Sequence, residues 1–376
     1  MLCREEETSV YWIDSDTQLA KAVASWENQI GLDTEFIRTD TFYPLAGLYQ
    51  VASGNDVFLL DPLVIESWQP LVDYLHNPDH LVVMHACQED LELMFHHLGA
   101  RPANIFDTQF ANAFVSEDFS LSYANLARNL VQVDLEKQQT RSNWLKRPLS
   151  EEQLAYAVDD VTLLVPMFKI INERIAELGR SEWFARDMSL RGQYMEPQPS
   201  EYYRQVKRAW QLKPEQLSML QALCQWRENA ARQFDIPRNR VVWDDHLMTF
   251  AIAPELDNNV LQNTLPSQIA KRHGQALIAC HRKAQANKPQ ASKPIEQLDK
   301  PLGPGASAKV KALREVAVAA AKKLVIAPEL LARKKDVEAC FRDYAKNNKL
   351  SEHYMGWRRI LLEQEFLQIL EPVNDN

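Results

Sequence analysis

The stretch GLDTEF, residues 31–36, decides how the first half of the chain folds. Its apolar context predicts a short β-strand, and in a strand the side chains at positions i and i+2 lie on the same face. Asp33 and Glu35 would therefore stand side by side. Burying two neighbouring carboxylates is costly unless a cation offsets their charge, and Mg²⁺ or Mn²⁺ prefers oxygen ligands. The triplet predicts a candidate metal site, although a motif this short does not establish one alone.

The segments around this strand alternate between strand and helix patterns. Their order predicts an α/β domain with a mixed sheet. The expected strands are 9–13, 31–36, a hairpin of 47–52 and 56–61, 80–86 and 104–109. The expected helices run from Asp16 or Thr17 to Trp26, near 66–77, from Gln88 to Leu98, and through most of the chain from 110 to about 195.

The second half of the chain has helical patterns only. Residues 286–307 are rich in Pro, Ser, Lys and Gly, which indicates a linker between two helical blocks. The expected helices of the first block are 214–232, 244–252, 266–271 and 274–285, with Trp210, Trp226 and Trp243 in its core. The predicted domains are 1–200, 205–287 and 308–376, with the linker assigned to 288–307.

Composition narrows the class of protein. The chain has 376 residues, of which 46% are hydrophobic, enough for a sizeable core. Its five cysteines are scattered without a CxxC pair, and we find neither a signal peptide nor a membrane span, so we expect a cytoplasmic protein with no membrane partner. Residues 1–200 carry 14 basic and 31 acidic side chains, whereas residues 201–376 carry 28 and 20. A basic half can bind polyanions, but two solvated surfaces of opposite sign would explain this asymmetry equally well.

Two later segments add carboxylates. Asp90 lies in the first turn of a helix, where the helix dipole alone would also favour an acid. Asp160 lies one turn after Tyr156, at the edge of an apolar stripe, whereas Asp159 falls nearly opposite that stripe. Asp160 would thus face the border of the core, although such pairs are also common as ordinary boundary residues.

The acids are informative as a set. Asp33, Glu35, Asp90 and Asp160 lie on elements that can point to a common centre. Two divalent ions about 3.5–4 Å apart, held by such acids, can bind both the attacking and the leaving oxygen of a phosphodiester. The sequence therefore predicts two Mg²⁺ or Mn²⁺ ions and phosphodiester hydrolysis.

Longer phrases carry a family resemblance. D-T-E in a strand, H-A-x-x-E-D at the start of a helix and Y-A-x-x-D resemble the three motifs of the DEDD exonuclease superfamily, in its tyrosine-containing branch. LDTEFIRTDTFYP (32–44), HACQEDLELM (85–94), DTQFANAF (107–114) and SNWLKRPLSEEQLAYAVDDV (142–161) look like the ribonuclease D family. The resemblance implies a ribonuclease-H-like fold and a 3′→5′ exoribonuclease that trims tRNA precursors.

The helical half supports the same resemblance. Residues 209–248 are similar to the HRDC domain, a small nucleic-acid-binding module, and residues 308–370 look like a second, more divergent copy. One exonuclease domain followed by two HRDC domains is the layout of the family. We expect a monomer that acts on RNA.

The resemblance also implies roles for five residues. Asp33 would contact both ions, Glu35 and Asp160 would hold the ion near the attacking water, and Asp90 would serve the other. Tyr156, with an ordinary pKa of about 10, would orient the water rather than act as a base. Nucleoside 5′-monophosphates would be released.

Contacts to RNA are expected elsewhere, each with a structural alternative. Phe36 could stack on a base or pack in the core, and His85 could meet a phosphate or fix the start of a helix. Other candidates for the path of the RNA strand are Arg141, Trp144 and Arg147. Candidate phosphate contacts in the first helical block are Arg227, Arg232, Arg238, Arg240, Lys271 and Arg272, although charged side chains usually form a solvated face.

Two other classes of protein remain open at this point. A 3′→5′ exodeoxyribonuclease would use the same acids, and paired HRDC domains favour RNA only by resemblance. A non-catalytic nucleic-acid-binding protein would explain the basic half but would not require the acid set. The chain contains no GxxxxGK[ST] loop, which argues against a helicase.

Overall fold

The computed structural model describes residues 8–135, 142–287 and 295–371. Contacts along the chain form two compact units. Unit 1 contains the chain up to Ile37, Ala46–Tyr194 and the chain from Leu302 onward, and unit 2 contains Arg38–Leu45 and Met195–Pro301. The chain therefore leaves unit 1 directly after the strand of the DTE motif and returns to it after eight residues.

A six-stranded sheet forms the centre of unit 1. Its strand order is β1-β4-β3-β2-β5-β6. β3 and β4 are antiparallel, whereas β1 pairs with β4, β2 with β5, and β5 with β6 in parallel, so the predicted mixed sheet is confirmed. The strands are β1 (Ser9–Ile13), β2 (Gln29–Ile37), β3 (Leu45–Ser53), β4 (Asp56–Leu60), β5 (Leu81–Met84) and β6 (Ile105–Asp107).

Helices complete unit 1 and share one continuous apolar core with the sheet. The predicted helix Gln88–Leu98 is confirmed, and it ends at Gly99, whose φ of 65° is the left-handed conformation that glycine adopts without strain. Before residue 195 the helices are α1 (Asp16–Ser25), α2 (Gln69–His76), α3 (Gln88–Leu98), α4 (Thr108–Asn112), α5 (Tyr123–Val131), α6 (Glu151–Thr162), α7 (Leu164–Glu177) and α8 (Ser181–Arg191).

Unit 2 is helical and has a separate core. The predicted helices 266–271 and 274–285 are one helix, and a further short helix precedes it. Gly274 on the long helix allows this short helix to pack closely, because a Cβ at Gly274 would lie 3.0 Å from Leu261 Cδ1. The helices are α9 (Pro214–Gln233), α10 (Arg238–Val241), α11 (Asp244–Ile252), α12 (Asn258–Thr264) and α13 (Ser267–Asn287), with 3₁₀ segments at Pro199–Gln205 and Ala209–Gln211.

The segment Arg38–Leu45 is part of the core of unit 2. Phe42 is buried there, with the guanidinium of Arg238 4.8 Å from its ring centre. One carboxylate oxygen of Asp235 accepts hydrogen bonds from the backbone N–H groups of Phe42 and Tyr43, at 2.9 and 3.0 Å. A phrase that belongs by sequence to the exonuclease half thus stabilises the helical unit.

The last helical block packs within unit 1. Its first helix begins at Pro304, four residues before the predicted start of this block. Trp357 stacks on Trp183 with ring centres 4.7 Å apart, and the Ala327 N–H donates to the Ala113 carbonyl at 2.9 Å. The helices are α14 (Pro304–Leu324), α15 (Glu329–Ala332), α16 (Lys334–Asn347) and α17 (Trp357–Leu370), with a 3₁₀ segment at Glu352–Tyr354.

Two smaller expectations can be compared with the described residues. In this part of the chain, each helix is too short or too polar to span a bilayer. Cys87, Cys224, Cys280 and Cys340 are free thiols, as expected from their scattered positions. Cys3 lies outside the described residues.

Candidate active site

The strand β2 carries the first two acids. Asp33 and Glu35 lie on it two residues apart, both half-buried, as the period of a strand requires. Gly31 on the same strand allows a helix to approach closely, because a Cβ there would lie 2.8 Å from the Val161 carbonyl oxygen and 3.0 Å from Leu164 Cβ. The end of α6 therefore packs directly against β2, which brings Asp160 next to the DTE motif.

The helix α6 is fixed at both ends. At its start Ser150 and Gln153 form a reciprocal capping box. Near its end the Tyr123 hydroxyl donates to the Asp159 carbonyl at 2.9 Å and accepts from the Leu163 N–H at 3.1 Å. Asp160 is buried, while Asp159 is half-buried instead of facing water fully. Tyr123 is a supporting residue that the sequence patterns did not reveal.

The acids from β2 and α6 converge. One carboxylate oxygen from each of Asp33, Glu35 and Asp160 lies within 4.8 Å of the others. Asp90, from α3, is near enough for its charge to raise the pKa of both Asp33 and Glu35. The buried Thr34 hydroxyl donates a short hydrogen bond to Asp90 Oδ1, so the middle residue of the DTE motif links the second motif to the first.

All four acids of the cluster have raised pKa values. Burial is the largest cause that raises each pKa, to about 8 for Glu35, about 7 for Asp160 and about 6 for Asp90. The pKa of Asp33 lies well above its ordinary value because of burial and then the charges of Asp90, Asp160 and Glu35. Carboxylates in such a place need a cation to remain ionised together. An all-oxygen donor set of this kind suits Mg²⁺ or Mn²⁺.

Asp90 depends on a sharp turn between β5 and α3. Ala86 in that turn has a φ of 56°, an uncommon conformation for a residue with a side chain. Asp107 holds the turn: its fully buried carboxylate accepts from the backbone N–H groups of Ala86 at 3.0 Å and Phe110 at 3.1 Å, and from Arg191 Nε at 3.1 Å. Asp107 is therefore a structural residue that caps α4 and holds the turn before α3.

Tyr156 lies beside the acids. Its hydroxyl forms a hydrogen bond with the Asp160 carboxylate, one turn along α6. Burial, followed by the charges of Asp160 and Glu35, raises the pKa of Tyr156 far above its ordinary value. The phenol is therefore protonated at neutral pH and can donate a hydrogen bond or orient a water molecule, but it is a poor base.

Three of the predicted RNA contacts have structural roles instead. Trp144 is 2% exposed, so its ring cannot stack on a base. Arg147 forms a two-point ion pair with Asp61 at 2.7 and 2.6 Å and also donates to the carbonyls of Gly47 and Trp144. Both ring nitrogens of His85 are occupied, one by Thr108 Oγ1 and the other by the Leu121 carbonyl. For Trp144 and Arg147 the prediction was wrong, and the contacts of His85 support its structural alternative.

Phe36 and Arg141 are two further candidates for contacts to RNA. Phe36 is half-buried and packs against the core of unit 1, so stacking on a base stays a prediction. Arg141 lies outside the described residues.

Several arginines predicted to contact phosphates instead form ion pairs within unit 2. Arg227 is 4% exposed and pairs with Asp244 at 2.5 Å and Glu228 at 3.4 Å, so that prediction was wrong. Arg232 also has two partners, since it pairs with Glu196 and donates to the Pro197 carbonyl. Arg238 pairs with Glu228 and donates to the Tyr202 hydroxyl.

Other candidates in unit 2 remain at the surface. Arg240 is exposed and pairs with Asp40, while Lys271 and Arg272 are exposed on α13. A phosphate contact by these three residues stays a prediction. Trp243 is 56% exposed, which overturns its assignment to the core, whereas Trp210 and Trp226 are half-buried.

Comparison with known proteins agrees with this geometry. Residues 10–176 match a family described as 3′-5′ exonuclease, and residues 216–280 match the HRDC domain. Ribonuclease D of Pseudomonas paraeruginosa is 38% identical over 371 residues, covering 96% of this chain and 98% of that protein.

The chain belongs to the ribonuclease D family. Ribonuclease D of Escherichia coli is 34% identical over 372 residues, covering 95% of this chain and 96% of that protein. The crystal structure of E. coli RNase D, described as an exoribonuclease involved in structured RNA processing, has a TM-score of 0.86 at 31% identity and covers 96% of this chain and 98% of that chain. The protein is accordingly a hydrolase, a 3′→5′ exoribonuclease of the ribonuclease D type, and of the alternatives considered this one is preferred.

Proposed function

We propose that the protein trims the 3′ ends of tRNA precursors with two divalent ions, Mg²⁺ or Mn²⁺, held by Asp33, Glu35, Asp90 and Asp160. The observation that carries the proposal is the convergence of carboxylates from β2 and α6, with Asp90 close by. The similar E. coli protein, described as acting in structured RNA processing, supports a structured RNA as substrate.

Each of the four acids is assigned to one or both of the proposed ions. Asp33 is influenced by all three other carboxylates, and we assign it to both ions. Glu35 and Asp160 would hold the ion on the side of the attacking water, and Asp90 the ion on the side of the leaving group. Bound there, the ions would lower the pKa of the attacking water and stabilise the leaving oxygen, so that a nucleoside 5′-monophosphate is released.

Tyr156 orients the attack. Its protonated hydroxyl donates to Asp160, and its oxygen can accept a hydrogen bond from the water. This contact would fix the direction of one water hydrogen and thus the lone pair that faces the phosphorus atom. The raised pKa of Tyr156 argues against removal of a proton by this group.

Unit 2 would bind the body of the RNA. It matches the HRDC domain, and Lys271 and Arg272 are exposed on its longest helix. Each such contact displaces counterions from phosphates, so binding should weaken as the salt concentration rises. The helical block from Leu302 onward would be a second, divergent HRDC copy. We propose a cytoplasmic monomer, in keeping with a tRNA-precursor substrate and free thiols.

One assay tests the proposal. The protein is incubated with tRNA that carries extra 3′ nucleotides, and separately with single-stranded DNA of equal length, with Mg²⁺ or with a chelator. We expect release of nucleoside 5′-monophosphates from the RNA, which stops with chelator and in Asp33→Asn. Glu89→Gln, an exposed acid beside Asp90, serves as the matched control and should keep full activity.

The possible results separate the alternatives. Faster hydrolysis of the DNA would reject an RNA substrate. Activity that survives chelator, or that survives Asp33→Asn, would reject the metal site. Tight RNA binding with no hydrolysis under any metal would favour a non-catalytic binding protein.

A further inference from the structure

Unit 2 contains a cavity beside the helices α9 and α10. Its volume is about 450 Å³, and it lies between the 3₁₀ segment Pro199–Gln205, the helix α9 and the start of α11. A cavity of this size has room for a nucleotide-sized group.

Trp243 forms part of the cavity wall, and more than half of its surface is exposed. It occupies the N-cap position of α11, where Ser, Thr, Asp or Asn would stabilise the helix through a side-chain oxygen that an indole lacks. Because 56% of the residue is exposed, it also contributes little to the core. A large aromatic face that neither caps nor packs is available for a ligand.

The charges around Trp243 restrict the ligand. Arg227 and Asp244 pair with each other, and Arg238 pairs with Glu228 while lying 4.3 Å from the ring centre of Tyr202. These four charges therefore balance one another.

Two lining residues with opposite charge remain, Lys207 and Asp245, both exposed. A single phosphate can meet the ammonium of Lys207, and an amino group can donate to the carboxylate of Asp245. Two adjacent phosphates would be repelled by Asp245, so a duplex backbone or a polyphosphate fits poorly.

We propose that this cavity binds one unpaired RNA nucleotide, with its base stacked on the Trp243 indole and its phosphate beside Lys207. Unpaired bases expose a face for stacking, whereas paired bases in a helix do not. The inference rests on the proposed RNA substrate, to which it adds a second contact point outside the active site. It gives the enzyme a means to select RNAs that have a single-stranded segment.

Binding experiments with the full chain in the presence of chelator test this without hydrolysis. The probe is a fluorescently labelled eight-nucleotide single-stranded RNA, followed by anisotropy. Loss of one stacked base should weaken binding on the order of 10-fold in Trp243→Ala, and Trp243→Phe should restore most of it. Phe234→Ala removes another exposed ring of unit 2, 52% exposed, and is the matched control with unchanged affinity.

A duplex probe of the same sequence adds a second criterion. Its affinity should not change in Trp243→Ala, whereas Lys207→Gln should weaken binding of the single strand and lower its dependence on salt. Equal affinities of wild type and Trp243→Ala for the single strand would overturn the inference. So would an equal loss for duplex and single strand.

Failure of the inference and failure of the proposed function can be told apart. Hydrolysis of a nucleotide p-nitrophenyl ester by the wild-type protein with Mn²⁺ depends on the active site and needs no second contact. If the ester is cleaved while Trp243→Ala binds RNA normally, the cavity proposal alone is rejected. If the ester is not cleaved, the proposed function itself fails.

Discussion

Asp187 on α8 and Arg358 on α17 form a buried two-point ion pair, with nitrogen–oxygen distances of 2.9 and 2.5 Å. They are 171 residues apart in sequence, and Arg358 also donates to the Leu330 carbonyl at 2.9 Å. Arg180 makes a similar link, since it donates to the carbonyls of Phe114 and Leu324. The last helical block is thus bound to the exonuclease half by buried charged groups as well as by stacked tryptophans.

Asp187→Ala should destabilise unit 1. The change leaves the guanidinium of Arg358 buried without its acid, which costs about 3–5 kcal/mol of unfolding free energy. Urea unfolding followed by tryptophan fluorescence measures the loss. Arg359→Ala removes the neighbouring exposed arginine and is the control with little effect.

The double variant Asp187→Leu, Arg358→Met separates a lost ion pair from a general packing defect. It removes both buried charges together, so it should recover most of the stability. A double variant as unstable as Asp187→Ala would mean that the ion pair is not the cause. Equal stability of wild type and Asp187→Ala would show that the block is not bound in this way.

Metal binding should be visible without any substrate. Mg²⁺ or Mn²⁺ at millimolar concentration should raise the melting temperature, because ions that bind the folded state alone stabilise it by mass action. Asp33→Asn should abolish this shift. In chelator the same variant should melt higher than wild type, since one of several repelling buried carboxylates is gone.

The metal site is supported only if the metal raises the melting temperature of the wild type and does not raise that of Asp33→Asn. A metal-induced shift that persists in Asp33→Asn would place the ions elsewhere. Glu89→Gln again serves as the control, and its shift should equal that of the wild type.

The sequence predicted the pairs of neighbouring site residues well, because the side-chain repeats of a strand and of a helix are only a few residues long. The two-residue period of a strand placed Asp33 beside Glu35, and the helical turn placed Asp160 beside Tyr156, as observed. The contacts that bring these elements together could not be predicted from the sequence. It depends on a glycine, Gly31, that lets α6 approach β2, and on Thr34 and Tyr123, which are ordinary residues in their local context.

The arginine and tryptophan assignments failed for a related reason. Arg227 pairs with Asp244, 17 residues away, and Arg147 pairs with Asp61, 86 residues away. No local pattern shows such partners, so a basic residue that holds the fold resembles one that binds phosphate. Trp243 was assigned to the core from its residue type, yet its place at a helix N-cap leaves it exposed.

Acid should weaken unit 2 through His273. This side chain is buried beside Trp226 and Phe234, and among the described residues its Nε2 has no hydrogen-bond partner. Burial, and then the charge of Arg272, lowers its pKa in the folded state. A lowered histidine pKa means that stability is complete above the unfolded pKa, about 6.5, and is lost as the pH falls below it.

The comparison of two pH values isolates this effect. Between pH 7.5 and pH 5, the melting temperature of unit 2 in the full chain should fall further in wild type than in His273→Leu. Parallel losses in the two proteins would show that His273 does not take up a proton on unfolding.

Thr34 should position Asp90 for metal binding. Its hydroxyl donates to Asp90 Oδ1, and both side chains are buried, so Thr34→Val removes the donor while it keeps the shape. Loss of a hydrogen bond to a ligand of a metal costs about 10–100-fold in metal affinity or activity. We expect a higher Mg²⁺ concentration for half-maximal hydrolysis of 3′-extended tRNA, with a smaller effect at saturating Mg²⁺.

Thr34→Ser is the decisive control, because it restores the hydroxyl and removes only a methyl group. It should keep the Mg²⁺ dependence of the wild type, even if the missing methyl lowers the melting temperature. A purely structural role for Thr34 would lower the stability of both variants and leave the Mg²⁺ dependence of both unchanged. That result would show that the DTE strand does not position Asp90. The turn at Ala86 and Asp107 alone would then have to position the second motif.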